Sequence, residues 1–159
     1  MLDHLTVKVR DADKSKAFYV AALKPLGYSL KMEYPGGAGL GAEHPDLWLA
    51  ADPDGVRPMH FALTAKERAA VHAFHEAAIR AGAQDNGAPG PRPDYGPSYY
   101  AAFVLDPDGH NVEVVCHAPE RAGGGARGAR RKTAAKKTAR KTAKKTARKA
   151  GGRRASTRR

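Results

Sequence analysis

Two histidines and a glutamate sit on apolar, strand-like runs. His4 leads Leu5-Thr6-Val7-Lys8-Val9, His60 leads Phe61-Ala62-Leu63, and Glu113 interrupts Val112 and Val114-Val115. Neutral imidazole and carboxylate together suit Fe, Mn, Ni or Zn as a divalent cation. Three protein ligands leave positions for water and for a substrate that chelates through two neighbouring oxygens, with the metal as a Lewis acid. A carboxylate buried in an apolar strand without a cation is costly or sits protonated, which favours a metal. The same three side chains also suit a polar cavity that holds a small ligand with no metal. No general base is identifiable, so the catalytic residue stays open.

The elements that must position these residues read as two similar series. Residues 4–9 alternate apolar and polar, a half-buried strand. Asp11 and Asp13 offer helix caps, and Phe18, Tyr19, Ala22, Leu23 and Leu26 recur at helical spacing until Pro25 and Gly27 end the helix. Residues 28–34 and 47–51 read as strands, with Gly36-Gly37 as a turn. The second series runs from a strand at 59–63 through a capping box, Thr64 to Glu67, into a helix with Val71, Phe74, Ala78 and Ala81 on one side. Strands follow at 99–105 and 111–115, joined by the turn Asp106-Pro107-Asp108-Gly109. Residues 1–55 and 56–120 thus form two modules, each strand–helix–strand–strand–strand, in one domain spanning 1–120. Between the second helix and residue 99 lies a segment, 87–97, with so much Pro and Gly that it predicts a long loop. It carries Arg92 and Tyr95, both able to reach a ligand. Tyr100, on the strand beside Glu113, is a further candidate substrate contact, with Tyr99 facing the opposite way. His72 and His75 read as solvent-facing, and His44, His110 and His117 are not expected to be ligands.

The paired modules, the leading His4 and His60, and the string from Tyr99 to Glu113 with its Asp-Pro-Asp-Gly turn resemble the vicinal oxygen chelate superfamily. That group includes glyoxalase I, thiol transferases that modify fosfomycin, extradiol dioxygenases and bleomycin-resistance proteins. The resemblance covers about residues 1–118. It implies an α+β fold in which paired βαβββ modules curl into a half-barrel around a cavity. It also implies metal ligands at His4, His60 and Glu113. The fourth ligand position of glyoxalase I falls at Leu47-Trp48-Leu49, and tryptophan cannot ligate. That leaves two histidines and a carboxylate, with Trp48 as a cavity wall or substrate contact. The implied activity is that of a lyase, isomerase, dioxygenase or thiol transferase on a small oxygen-chelating substrate. The alternative is sequestration of a small ligand, as in bleomycin resistance. Dimers are common in the superfamily, so a homodimer is among the expectations.

Composition breaks sharply near Glu120. Residues 1–120 hold 11 Lys and Arg against 16 Asp and Glu, a charge of 11 − 16 = −5; residues 121–159 hold 17 Lys and Arg and no acid, giving −5 + 17 = +12 for the chain. The segment 121–159 has no Leu, Ile, Val, Met or aromatic residue, so it is expected to be disordered in isolation. Its repeats, Thr138-Ala139-Arg140-Lys141, Thr142-Ala143-Lys144-Lys145 and Thr146-Ala147-Arg148-Lys149, resemble the Lys/Ala-rich tails of linker histones. Arg130, Arg131, Lys132, Lys136, Lys137, Arg140, Lys141, Lys144, Lys145, Arg148 and Lys149 are the expected nucleic-acid contacts, driven by counterion release and blind to sequence. A solubilising extension is the plainer alternative. The lone Cys116 permits no intrachain disulfide, and no apolar run reaches membrane-spanning length. A cytoplasmic protein, nucleoid-associated through its tail, fits these features.

Overall fold

The computed structural model describes residues 2–52 and 54–119. The basic segment 121–159, with the nucleic-acid reading placed on it, lies outside the described residues. In the first module β1 (Leu5–Val9) buries Val7 and Val9 and leaves Thr6 and Lys8 exposed, as the alternation requires. Helix α1 (Ala12–Leu23) starts on Asp11, whose carboxylate accepts from the N–H groups of Asp13 and Lys14, both at 3.0 Å. It buries Phe18, Tyr19, Ala22 and Leu23. A 3-10 turn, Lys24–Leu26, follows and ends at Gly27 in the left-handed region, φ 86°. Strands β2 (Ser29–Tyr34), β3 (Gly37–Gly41) and β4 (Leu47–Ala51) complete the sheet. β3 carries a Gly-Ala-Gly-Leu-Gly sequence without a strand signature; its partners on both sides impose it, and Gly39 leaves room for the Trp48 ring on β4.

The second module repeats the plan with β5 (His60–Thr64), α2 (Arg68–Arg80), β6 (Gln84–Pro91), β7 (Tyr100–Leu105) and β8 (Asn111–Cys116). The two four-stranded sheets have matching orders, β1-β4-β3-β2 and β5-β8-β7-β6. In each, the first strand runs parallel to the last and the remaining pairings are antiparallel.

Two local expectations fail here. The capping box does not form: Thr64 ends β5, the Ala65 N–H donates to the Val115 carbonyl at 2.8 Å, and α2 begins after Glu67 with no side-chain cap. Strand pairing has outbid the cap. The expected loop 87–97 is a loop only in part: residues 87–91 belong to β6, and 92–97 connect it onward through a 3-10 turn, Pro93–Tyr95. β6 is an edge strand whose register slips between Asp85 and Gly87 and again between Gly87 and Gly90. An edge strand tolerates proline because one side needs no donors, and bulges absorb the glycines.

Helices and sheets enclose one apolar cluster that includes Val9, Tyr19, Leu40, Leu49, Phe74, Val104, Val112 and Val114. A buried polar seam ties the modules together through the turn between β7 and β8. Asp106 accepts from the Tyr19 hydroxyl at 2.7 Å and from the N–H groups of Asp108 and His110 at 2.9 and 2.8 Å. Asp108 accepts from the Arg10 backbone and guanidinium, both at 3.2 Å, and from the Ser15 hydroxyl at 3.4 Å. His110, fully buried, accepts the Met59 N–H on Nδ1 at 3.1 Å and donates Nε2–H to the Lys8 carbonyl at 2.8 Å. The turn thus touches β1, α1 and the strand entry of the second module at once.

Candidate functional site

Strand parity decides which residues share a face. β5 and β8 run in register with His60 beside Asn111 and Ala62 beside Glu113, while β7 places Phe103 directly across from Glu113. His60, Glu113 and Phe103 therefore project from one side of the sheet, and Phe61, Val112, Val114 and Val104 project into the core. Glu113 is 3% exposed, yet it lies beside His60, whose side chain is 52% exposed. Its two oxygens are split between partners. Oε2 lies 3.0 Å from His60 Nε2, and Oε1 accepts the Tyr99 hydroxyl at 2.6 Å. Burial, and then the hydrogen bond to Glu113, push the Tyr99 phenol up to about 12.

Aromatic rings surround this pair. Phe103 lies 6.2 Å from the His60 ring, and Tyr99 meets Tyr95 and His117 edge-on at 5.2 and 5.1 Å. The Arg92 guanidinium rests over Phe103, 5.3 Å from its centroid. Two expected contacts, Arg92 and Tyr95, thus reach the Glu113 side of the sheet, and Tyr95 is 65% exposed there.

Tyr100 does not join them. It points the other way, 9% exposed, with its hydroxyl 2.6 Å from His72 Nε2 and Arg68 over its ring at 4.7 Å. The expected pair is inverted, and Tyr99 is the residue at the site. The strand register across the turn separates the two tyrosines. Residues 106–110 connect strands closed by the pair Leu105–Asn111, so opposite partners step as 103 with 113 and 101 with 115, and just beyond the ladder the Tyr99 ring meets His117. Odd-numbered residues of β7 and of the segment before it share the side of Glu113.

The first module presents its own polar face. His4, Thr6, Tyr34, Pro45 and Trp48 line a shallow concavity with Asp3. Trp48 is half-buried between the buried Leu47 and Leu49 and packs on Tyr34 at 6.2 Å, which makes it a wall of that concavity. His4 Nδ1 bonds Asp3 at 2.8 Å, leaving Nε2 as the free ring nitrogen, and the ring holds the Asp3 carboxyl below its usual range. Within one chain His60 and Glu113 meet. Among the described residues, the set of three acidic or imidazole ligands within 4.8 Å of one another is Asp106, Asp108 and His110, and His4 does not join His60 and Glu113 in such a set.

The Asp106–Asp108–His110 group has the spacing to hold a cation. Its donor atoms are spoken for, however. Both His110 nitrogens bond the backbone, and both aspartates accept from groups of the first module. A cation there would have to displace the seam that joins the modules. The cleft beside it, about 840 Å³ and lined by Arg10, Lys14, Phe18, Pro107 and Gly109 among others, lies on the helix side, away from Glu113.

Two sheets of one βαβββ design, each with a histidine at its leading strand, define a paired-module protein. The chain belongs to the Glyoxalase/Bleomycin resistance protein/Dioxygenase superfamily, whose family model matches residues 1–114. Solved structures share the fold. A glyoxalase/bleomycin resistance protein from Albidiferax ferrireducens superposes with a TM-score of 0.64 at 24% identity, over 74% of this chain and 98% of that one. A glyoxalase/bleomycin resistance protein/dioxygenase family enzyme from Burkholderia phytofirmans gives 0.57 at 20% identity, over 74% and 98%. TioX from Micromonospora gives 0.59 at 16% identity, over 74% and 99%. No curated protein matches the chain significantly. Among the described residues, no helix is long and apolar enough to cross a membrane.

Proposed function

We propose that this protein is a divalent-metal-dependent enzyme acting on a small oxygen-chelating substrate, with Glu113 and His60 as two ligands of the metal. The observation that carries this reading is the spacing of their donor atoms beneath an open face. Two ligands each about 2.1 Å from one cation, at right angles, lie about 3 Å apart. Glu113 Oε2 and His60 Nε2 are 3.0 Å apart. A carboxylate this buried, beside an imidazole this open, is suited to adjacent positions on an octahedral ion.

His4 is the third ligand in this proposal, and a second copy of the chain supplies it. Its Nε2 is free because Asp3 holds Nδ1, the arrangement that fixes a metal-binding imidazole. When bound, the metal would polarise the substrate's paired oxygens and stabilise charge developing on them. The chain's own residues do the rest. Tyr99 holds Glu113 Oε1, so that Oε2 alone turns toward His60. Phe103 lies beside the His60 ring and borders the pair on one side.

Metal analysis of the purified protein tests this reading. We expect about one divalent ion per site, lost in Glu113→Ala and in His60→Ala. Protein that holds no metal after reloading, or Glu113→Ala with unchanged metal content, would refute it. A second reading, metal-free sequestration of a small ligand, is favoured by one observation: both Glu113 oxygens already have hydrogen-bond partners without a metal. Quenching of Trp48 fluorescence by a ligand in the presence of EDTA would select it.

We further propose that the segment 121–159, at +17, binds nucleic acid without sequence preference. A chain ending at Glu120 should keep small-molecule binding and lose DNA retention. Equal retention by both forms at low salt would end the idea.

A further inference from the structure

Arg92 is held in a seat that the sequence of β6 builds for it. Nη2 donates to the Ala88 carbonyl at 2.8 Å and Nη1 to the Pro91 carbonyl at 3.3 Å, while the guanidinium plane lies over Phe103. Two glycines make the room. A Cβ on Gly90 would stand 3.2 Å from Nη1; a Cβ on Gly87 would stand 3.4 Å from Nη2 and 3.0 Å from the Phe103 ring. Gly87 also has φ 153°, a conformation that side chains disfavour. The slips in register at Gly87 and Gly90 bend the edge strand at these positions. The long side chain is therefore ordered before any ligand arrives, which lowers the cost of binding one.

A guanidinium has five N–H groups, and two of Arg92's have protein partners. Among the described residues, no carboxylate is among its partners. Among the described residues, it is the one Lys or Arg shown in contact with the group formed by His60, Tyr95, Tyr99, Phe103 and Glu113. A fixed, unneutralised fork beside aromatic faces matches a planar oxyanion.

We infer that Arg92 is the anion-binding residue of this site, so that the substrate carries a carboxylate or similar oxyanion next to its chelating oxygens on a small, largely planar body. This inference rests on the metal reading for the neighbouring chelation but not for the anion contact. The bulged, glycine-bearing edge strand exists to place that cation. The Gly and Pro content of segment 87–97 is then a specificity feature and not a loose connection.

The test uses the full-length, metal-loaded protein and three probes: salicylate, phenylphosphonate and the neutral salicylamide. Titration calorimetry on the wild type should show at least one anion binding more tightly than the amide, and the tighter anion names the class. Arg92→Ala should weaken that anion by about 10- to 100-fold, and leave the amide, the melting temperature and the metal content unchanged. Arg92→Lys should recover only part of the loss, since it restores charge without the fork. Gly90→Ala keeps Arg92 but crowds its seat, and should also weaken the anion. Equal binding of anions and amide by the wild type, or an anion affinity indifferent to Arg92→Ala, overturns the inference. Repeating the titration in EDTA separates the two readings. Anion binding that depends on Arg92 in a protein unable to hold metal would leave this inference standing and the metal proposal refuted. Metal retention without anion preference would do the reverse.

Discussion

Among the described residues, buried carboxylates stand in two settings of opposite design. At the turn between β7 and β8, Asp106, Asp108 and His110 are closed: each carboxylate and each ring nitrogen meets a protein partner. On the sheet face, Glu113 is as deeply buried, but its imidazole partner stands half in solvent. Burying a charge is costly unless hydrogen bonds compensate it. The closed cluster spends all its partners across the two modules, so it stabilises the fold. The open one keeps a partner facing outward, which is the feature the metal proposal uses. Acidic residues grouped within ligand distance are thus not by themselves a site; the state of their partners tells the two apart.

Substitutions sharpen the contrast. Asp106→Ala should be the most damaging change, because it strands the Tyr19 hydroxyl and two backbone N–H groups in the core. A loss of about 3–5 kcal/mol in urea unfolding, or no folded protein, is expected. Glu113→Ala should cost much less stability and, on the metal proposal, should instead abolish metal binding. If their effects were exchanged, the assignment of roles would be reversed. Tyr19→Phe deletes a single charge-assisted bond and should cost about 1.5–3 kcal/mol.

The smallest effect lies at alkaline pH. The Tyr99 phenol is raised from 10.0 to about 12 in the folded protein. Its contribution to stability is therefore whole below pH 10 and fades as pH rises through 12. Melting temperatures measured from pH 9 to pH 12 should fall less steeply in Tyr99→Phe. An unchanged slope would mean that the Tyr99–Glu113 bond adds nothing to the fold. The Tyr19 phenol is also pushed up, by burial and then by Asp106, and belongs to the closed cluster.

Much of the fold was legible because its signals are local. Asp11 capped its helix as expected, Pro25 and Gly27 ended it, and the alternation in 5–9 and 47–49 matched burial residue by residue. The failures share one cause. Thr64 abandoned its cap because β8 offered a ladder hydrogen bond, and β6 formed from glycine and proline because β7 lay beside it. Tyr99 and Tyr100 were separable only by the register across the 106–110 turn. Local propensity is a weak term, and strand partners outside the local window override it.

The sequence by itself determined the two modules, the histidine leading each, the carboxylate in the last strand and the abrupt change of charge after Glu120. These depend on residue type and on periodicities of two and 3.6, which belong to the chain. Only the tertiary structure decided that His60 and Glu113 meet within a chain while His4 stands apart, that Tyr99 and not Tyr100 holds the carboxylate, and that the Asp-Pro-Asp-Gly turn is a seam between modules. Those outcomes follow from register and packing, in which groups far apart in sequence compete for the same buried partners.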